Sequence, residues 1–266
     1  MKFLALLFSL LCAFPYPAGA SGESRELPVL MYHSVCAYHN NDYVLHPDKF
    51  ESDLVWLLDH GYEPIFLSEA EAFCEGAPLP EKPVVITFDD GYYNNLSVVL
   101  PIAKRHNAKC EINIVGSYVE EGSEKRSDIY SYLTAEEIAA LRETGLFEIG
   151  NHSYDMHRRD KRQGAAARKY ESDEDYESAL SADSEKCREL LERVCGAHTR
   201  IFALPYGLYS KSTVRILGEL GYRWVLSCEE GTNRIERGEE GVHKLRRFNR
   251  PNRYSTETFF KKCGLK

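Results

Sequence analysis

The stretch Val84–Gly91, with the sequence VVITFDDG, decides the fold and places the first chemistry. A run of Val and Ile bounded by a glycine predicts a short strand that is buried on both faces. The carboxyl end of this strand carries Asp89 and Asp90 above the sheet. Neighbouring strand residues point to opposite sides, so we expect the two carboxylates to lie in different environments and to do two jobs, such as metal ligand and base. A strand followed by a simple Asp-Gly turn is the alternative.

Strand-like and helix-like patterns alternate on both sides of this stretch. Predicted strands cover residues 29–35, 65–67, 84–88, 111–116, 147–150, 201–204, 222–227 and 242–245, with helical patterns between most of them. Such alternation predicts a parallel α/β sheet with helical crossovers, either open and doubly wound or closed into a barrel. The chain lacks the G-x-G-x-x-G and P-loop patterns, so a dinucleotide or P-loop site has no support. Polar side chains at the ends of several different strands favour the barrel: His33, Asp89, Asp90 and His152.

Composition limits the class of partner. Hydrophobic residues make up 43% of the 266 residues, which is enough for a sizeable core in one large α/β domain or two small ones. The formal net charge is -8, and the chain has no long basic run. These features argue against nucleic acid as the main partner, and they are compatible with a neutral substrate such as a glycan.

The amino terminus has the pattern of a secretory signal peptide. Lys2 is followed by the apolar run Phe3–Phe14 and then by Ala18–Ala20, a small-x-small cleavage site. We therefore expect residues 1–20 to be removed and residues 21–266 to form a single domain, secreted or held at the cell surface without a stable membrane anchor. An uncleaved anchor is the alternative. Seven cysteines remain after this cleavage, an odd number whose connectivity the sequence does not determine.

Two histidines lie five residues apart in the segment Asn151–His157. On a continuous helix this spacing would splay their side chains by about 140°, so they converge only across a strand-to-loop turn. Together with an aspartate from another strand, they would form a set of two nitrogens and one oxygen with open positions. Such a set suits Zn²⁺, with Fe²⁺, Co²⁺ or Ni²⁺ as alternatives. A surface polar pair without a metal is the simpler explanation of the histidines alone.

Four motifs in order resemble one family. Thr87–Gly91 (TFDDG) resembles the first motif of polysaccharide deacetylases of the NodB-homology type, carbohydrate esterase family 4. His152–His157 resembles the second motif, in the longer spacing of the poly-N-acetylglucosamine deacetylase branch. Phe202–Gly207 resembles the third motif, and Met31–Ser34 is similar to an amino-terminal strand motif of that branch. The resemblance covers residues 28–250.

The resemblance implies a deformed (β/α)7 barrel and a metal-dependent hydrolase. The expected substrate is an N-acetylglucosamine-containing polysaccharide, either cell-wall glycan or exopolysaccharide, from which N-acetyl groups are removed. By this resemblance, Asp90, His152 and His157 would hold the metal, and Asp89 would be the general base. His33 would be the general acid that protonates the leaving amine. The loop of Pro205 and Tyr206 would bind the oxyanion through a backbone N–H.

Three departures from the family pattern concern the support of this site. The Leu-x-His acid of many members is absent, because Leu245 is followed by two arginines. The arginine that usually precedes the Pro-Tyr pair is replaced by Ala203 and Leu204, which leaves Arg246, Arg247 and Arg250 as candidates to orient Asp89. The fourth-motif aspartate is not evident around Trp224, a residue that we assign to the core.

Two other functions remain open at this point. The same site would suit an O-acetyl esterase acting on a glycan, and the missing support residues would suit a carbohydrate-binding pseudoenzyme. The intact set of Asp89, Asp90 and the two histidines argues against the pseudoenzyme. Tyr206 is expected either to pack in the loop or to line a glycan groove.

Overall fold

A computed structural model describes residues 22–38, 41–121, 127, 129–160 and 162–266. The signal peptide expected at residues 1–20 lies outside these residues. The strands are β1 Ser24–Leu27, β2 Val29–Tyr32, β3 Ser34–Val35, β4 Val44–Leu45, β5 Glu63–Pro64, β6 Pro83–Phe88, β7 Cys110–Ile114, β8 Phe147–Asn151, β9 Ile201–Ala203, β10 Trp224–Leu226, β11 Asn233–Glu236, β12 His243–Leu245 and β13 Phe248–Asn249. The α-helices are α1 Pro47–Asp59, α2 Leu67–Cys74, α3 Leu100–His106, α4 Gly116–Glu121, α5 Ala135–Glu143, α6 Asp173–Cys195, α7 Thr213–Glu219 and α8 Thr256–Cys263.

The central sheet is parallel and curled, with the strand order β12-β10-β9-β8-β7-β6-β2-β13 and with β5 paired to β6. Every neighbouring pair along this path runs parallel, as the alternation of strands and helices predicts. The expected deformed (β/α) barrel is therefore confirmed. The predicted central strand is β6, whose residues are all buried between β2 and β7.

The two edges of this sheet are joined by a very short segment. β12 forms one edge and β13 forms the other, yet only Arg246 and Arg247 separate them in the chain. The ring is therefore closed covalently at this point, by two residues that cross from one edge to the other. The backbone N–H of Arg247 bonds the Glu229 carbonyl at 2.9 Å, which ties the crossing to the segment after β10. We call the segment Leu245–Phe248 the seam.

Alternate residues of the strands face two different layers. On β6, Val84, Ile86 and Phe88 pack in one cluster with residues of α1, α3 and α5, so they face the outer helices. Val85 packs in a second cluster with Phe73 of α2, so it faces the barrel interior. The strand alternation consequently directs Thr87 and Asp89 inward.

The helix α2 covers the amino-terminal ends of the strands. Its Leu67 and Phe73 share a cluster with Trp224, which is 1% exposed and belongs to the core as expected. Two carboxylates of the barrel accept hydrogen bonds from the first turn of this helix: Glu111 from the Leu67 N–H at 2.7 Å, and Glu148 from the Ser68 N–H at 3.2 Å. They satisfy backbone donors that a helix amino terminus cannot pair internally.

Sequence patterns located most helices and missed several short strands. The predicted capping box Thr134–Glu137 is present at the start of α5. The prediction of a strand at 65–67 is wrong, because the pairing falls on β5 and Leu67 already begins α2. Pro101 is the second residue of α3 and follows directly on a π-helical turn at Asn95–Val99, in which the Leu100 N–H bonds the Asn95 carbonyl. A proline is tolerated near such a local change in the helical hydrogen-bond pattern.

Some strands carry little apolar pattern of their own. β1 lies in a polar stretch before the first predicted strand and pairs antiparallel with β11, and neither strand is predicted. β13 is also unpredicted, because a strand of two residues has no period to detect.

Two further features concern the thiol groups of the cysteines and the length of the helices. Each of the seven cysteines within the described residues is a free thiol. Among the helices that the structure describes, none combines the length and the apolar character required to cross a membrane.

Candidate active site

The predicted site residues meet in one cavity at the carboxyl ends of the strands. The cavity has a volume of about 610 Å³, and its lining includes His33, Asp89, Asp90, His152, His157 and Tyr206. Pro205 precedes Tyr206 and is buried within the loop. Six of the predicted site residues therefore lie together, whereas several residues that contact them stand in no motif of the sequence.

Three side chains converge in this cavity as a candidate metal site. Asp90 Oδ1 lies 3.4 Å from His152 Nε2 and 3.1 Å from His157 Nε2. One ligand atom from each residue lies within 4.8 Å of the others. The two imidazole centroids are 4.9 Å apart, so the histidines do converge across the turn that follows β8, as predicted.

The protonation of His152 tests whether this set fits a cation. His152 Nδ1 lies 2.8 Å from the Ala203 carbonyl oxygen, which can only accept, so Nδ1 carries a proton and Nε2 is the nitrogen left to bind a metal ion. Nε2 faces Asp90 Oδ1, a buried atom without a hydrogen-bond partner among the described residues. A positive charge between these two atoms, from a metal ion or from a proton on Nε2, would satisfy both of them. The donor set of two nitrogens and one carboxylate oxygen fits Zn²⁺ and similar divalent ions.

The second histidine is held from its other side by phenols. Tyr118 Oη lies 3.1 Å from His157 Nδ1, and Tyr206 Oη lies 3.3 Å from the same nitrogen. A hydrogen bond at Nδ1 fixes the ring and leaves Nε2 directed at Asp90. Sequence reasoning did not identify Tyr118 because it lies on α4, far from any motif.

Two residues with positive φ shape the backbone around the ligands. Continued strand alternation would direct Asp90 outward against the helices, but its φ of 73° turns it back into the cavity. The expectation that strand alternation separates Asp89 from Asp90 is thus wrong, because both side chains enter the same cavity, where they meet different partners. Ser153 has a φ of 71°, and Asn151 Oδ1 accepts its N–H at 2.8 Å, which fixes the turn between the histidines.

Asp89 is buried and held by charged and polar donors. Arg247 forms a fork on it, with Nη1 donating to Oδ1 and Nη2 to Oδ2, both at 2.8 Å. Asn113 Nδ2 also donates to Oδ1 at 2.8 Å. Burial works to raise the pKa of Asp89, but the Arg247 guanidinium, together with His152 and His33, outweighs it and holds the pKa well below its usual range. The carboxylate is therefore ionised and fixed in orientation.

Arg247 is thus the candidate that orients Asp89. It is fully buried, and its Nε donates to the Ser227 carbonyl oxygen at 2.9 Å. Arg250 instead pairs with Asp53, and Arg246 lies at the surface. The sequence left three arginines as candidates to orient Asp89. It could not decide among them, because the answer depends on how the seam crosses the barrel.

His33 lies in the same cavity without a fixed partner for its ring. Its Nδ1 is buried and has no hydrogen-bond partner among the described residues. The ring meets Tyr43 edge to face at 5.1 Å, and Asn95 Nδ2 donates to the His33 carbonyl at 3.0 Å. Burial lowers the pKa of His33, against the charges of Asp90 and Asp89, which act to raise it.

The loop after β9 brings Tyr206 against the second histidine. Tyr206 has a φ of 56°, and its ring stacks on His157 with centroids 4.3 Å apart. The Arg159 guanidinium lies 4.5 Å from the centroid of the same ring. Gly207 must be glycine, because a Cβ there would lie 2.6 Å from the Cβ of Cys228. The ring of Tyr206 therefore packs in the loop and also lines the cavity.

Further tyrosines form much of the cavity wall. Tyr92 and Tyr132 stack with centroids 5.3 Å apart, and Tyr118 stacks on Tyr132 at 4.2 Å. Tyr43 and Tyr130 also line the cavity and are largely exposed. The 17 tyrosines of the chain are a signal in the composition, but their clustering depends on tertiary structure.

Comparison with known proteins agrees with the motif resemblance. A family model described as "Polysaccharide deacetylase" matches residues 76–225. YxkH of Bacillus subtilis (strain 168), which carries a polysaccharide deacetylase name, is 28% identical over 225 residues, or 84% of this chain and 72% of that protein. The poly-beta-1,6-N-acetyl-D-glucosamine N-deacetylase of Escherichia coli (strain K12) is 26% identical over 198 residues, which cover 66% of this chain and 30% of that protein.

A solved structure has the same fold. The Streptococcus pyogenes deacetylase PplD, in complex with acetate, matches with a TM-score of 0.72 and 22% sequence identity. The match covers 91% of this chain and 99% of that chain.

Proposed function

Because the chain belongs to the polysaccharide deacetylase family, we propose that it is a metal-dependent hydrolase that removes N-acetyl groups from an N-acetylglucosamine-containing polysaccharide. The observation that carries the proposal is the position of Asp90 Oδ1, which lies 3.4 Å and 3.1 Å from two imidazole nitrogens and next to the carboxylate of Asp89. The similarity to a poly-beta-1,6-N-acetyl-D-glucosamine N-deacetylase supports this class of substrate.

Asp90, His152 and His157 would hold the metal, most simply zinc, with cobalt, nickel or iron as alternatives. A divalent ion bound there supplies a Lewis acid that polarises the acetamide carbonyl and makes a water molecule acidic enough to lose a proton at neutral pH. The remaining chemistry is proton transfer and charge stabilisation, which belong to residues of the chain.

Asp89 would take the proton from the attacking water as the general base. The Arg247 fork keeps the carboxylate ionised and fixes its plane, so the base is ready before substrate arrives. The missing arginine before Pro205 was the strongest argument for a pseudoenzyme. Arg247, which lies in the seam, takes the place of that arginine beside Asp89.

His33 would protonate the leaving amine, and the backbone N–H of Tyr206 would stabilise the oxyanion. Both residues line the cavity, so they can reach a substrate held near Asp90. The chain offers no Leu-x-His alternative for the acid, because the corresponding segment is the seam. We propose further that the protein acts outside the cytoplasm after removal of residues 1–20.

The experiment measures acetate release. The purified protein is stripped of metal, reloaded with Zn²⁺, Co²⁺, Ni²⁺ or Fe²⁺, and incubated with oligosaccharides of N-acetylglucosamine. We expect release that depends on the metal. Release from O-acetylated but not N-acetylated oligosaccharides would replace the proposal with an esterase, and glycan binding without release under any metal would replace it with a binding protein.

The acid is tested separately with His33→Ala. Because general acid catalysis contributes about 10²–10⁴ to rate, we expect kcat to fall by that factor. Metal content, measured by elemental analysis, should stay unchanged, since His33 is outside the ligand set. Retention of the full kcat would move the acid role to another residue.

A further inference from the structure

Asn113 lies in the barrel interior directly beside the proposed base. It is on β7, is completely buried, and follows Glu111 on the inward face of the strand. Its Nδ2 donates to Asp89 Oδ1 at 2.8 Å. The amide must have this orientation, because its oxygen would repel an ionised carboxylate.

The donors around Asp89 are distributed unequally between its two oxygens. A carboxylate accepts at about four lone-pair positions, two on each oxygen. Oδ1 receives Asn113 Nδ2 and Arg247 Nη1, which occupies both of its positions. Among the residues that the structure describes, Oδ2 receives only Arg247 Nη2. The acceptor position left over therefore belongs to Oδ2.

A glycine on the next strand makes room for this amide. Gly150 pairs with Asn113 across β7 and β8, and a Cβ at Gly150 would lie 2.0 Å from Asn113 Oδ1. Any side chain at Gly150 would thus displace the amide. Glycine weakens a strand interior and often marks a close approach of another group, which is the situation here.

The amide of Asn113 also has an unfavourable contribution to stability, which an apolar side chain would not have. Asn113 Oδ1 is buried without a hydrogen-bond partner among the described residues. A buried unpaired polar atom is unfavourable, and an apolar side chain in this position would avoid it. The contact that the amide gains in return is the one to Asp89.

We propose that Asn113, admitted by Gly150, is a positioning residue for Asp89, and that it fills Oδ1 so that Oδ2 is the oxygen that accepts the proton. The proposal rests on the assignment of Asp89 as the base. Without the amide, Oδ1 gains a free acceptor position. The carboxylate can then rotate within the Arg247 fork, so that either Oδ1 or Oδ2 could accept the proton. The metal ligands are not involved, so metal binding is independent of Asn113.

The test compares Asn113→Leu, Asn113→Ala and Gly150→Ala with Glu111→Gln as a matched control. Glu111 lies on the same inward face of β7 but contacts α2 instead of Asp89. For the three test variants we expect kcat to fall by about 10- to 100-fold, as for other residues that orient catalytic groups. KM and the affinity for Zn²⁺, measured by calorimetry, should stay within about twofold, and Glu111→Gln should keep the kcat of the natural protein.

The double variant separates positioning from general damage. In an Asn113→Ala background the clash at Gly150 is gone, so adding Gly150→Ala should cause no further loss of kcat. Additive losses, a loss confined to KM or to metal affinity, or an unchanged kcat in Asn113→Leu would overturn the proposal.

A structural readout keeps the test independent of the substrate. A crystal structure of Asn113→Leu should show the Asp89 carboxylate rotated or a water molecule on Oδ1. An unchanged carboxylate without that water would overturn the positioning role even if no substrate is turned over. By contrast, inactivity of the natural protein in the same assay would count against the proposed function alone.

Discussion

Two adjacent carboxylates in one cavity have separate partners, and this separation defines their roles. Asp90 lies against two imidazoles, whereas Asp89 lies in the fork of Arg247. We expect Asp90→Ala to lower the affinity for Zn²⁺ by at least about 100-fold. Asp89→Asn should retain the metal and lower kcat by about 10²–10⁴. Metal titration and initial rates check both variants, and full activity in Asp89→Asn would show that another residue is the base.

The geometry of Arg247 matters as much as its charge. Lysine keeps the charge but cannot donate to both carboxylate oxygens in one plane. We expect Arg247→Lys to fold and to lose about 10- to 100-fold in kcat. Arg247→Ala would leave Asp89 as a buried unpaired charge and cost about 3–5 kcal/mol of stability.

Thermal unfolding and kinetics measure these changes, with the exposed Arg246→Ala as the control, expected to change stability by less than about 0.5 kcal/mol. Equal kinetics for Arg247→Lys and the natural protein would contradict the need for a fork.

At this scale the sequence identified the residues that meet in the cavity better than the residues that contact them from behind. Asp89, Asp90 and the two histidines stand in short motifs, and the spacing within each motif suits a metal site. Asn113 and Tyr118 stand in no motif, and their roles depend on which side of a strand or helix faces the cavity.

The helix α2 and the strands β7 and β8 are coupled through two carboxyl groups. Burial, with a further contribution from Glu148, raises the pKa of Glu111 well above its ordinary value. The folded chain therefore binds a proton that the unfolded chain releases near pH 4.3, and stability falls as the pH rises from there toward the raised pKa. This carboxyl group is a pH-dependent element of the fold, away from the catalytic cavity.

We expect Glu111→Gln to remove part of this dependence. Glutamine keeps an oxygen for the Leu67 N–H and cannot ionise, so Tm should fall less between pH 5 and pH 8 than in the natural protein. Calorimetric scans across this range measure it. The exposed Glu143→Gln should keep the natural slope, and an identical slope in Glu111→Gln would remove Glu111 as the cause.

Elements with a strong period were predictable, and those set by tertiary pairing were not. The helix α5 begins where its capping box predicts. The strands β1 and β11 form because they pair with each other, although they lie far apart in the sequence. A local sequence pattern cannot predict such a pairing.

For the whole molecule, the segment after the seam is tied to the first helix by a buried ion pair. Arg250 Nε donates to Asp53 Oδ2 at 2.7 Å, and Tyr32 and Thr256 also bond this carboxylate. The pair joins α1 to the chain that follows β13. It therefore holds one end of the crossing that carries Arg247.

Breaking this pair should destabilise the entire domain. Asp53→Ala leaves a buried guanidinium unpaired, at a cost of about 3–5 kcal/mol, which corresponds to a fall in Tm of roughly 6–20 °C. The double variant Asp53→Leu/Arg250→Met should recover much of this loss, because it removes both charges. A calorimetric Tm for Asp53→Ala within 2 °C of the natural protein would contradict the role given to the pair.

The alternation of strands and helices predicted the barrel, but not how it closes. To predict closure by a two-residue crossing, one must know that β12 and β13 lie at opposite edges of the sheet. Their positions depend on the order of all the strands. The same crossing brings Arg247 to Asp89, which receives no arginine from the segment before Pro205.

The seam also sets an order in time. A ribosome adds Arg247 158 residues after Asp89, whereas Asp90, His152 and His157 all precede β9. The candidate metal ligands are thus synthesised well before the guanidinium that pairs with Asp89. We expect the proposed hydrolysis to require this last part of the chain, because ring closure brings Arg247 to Asp89.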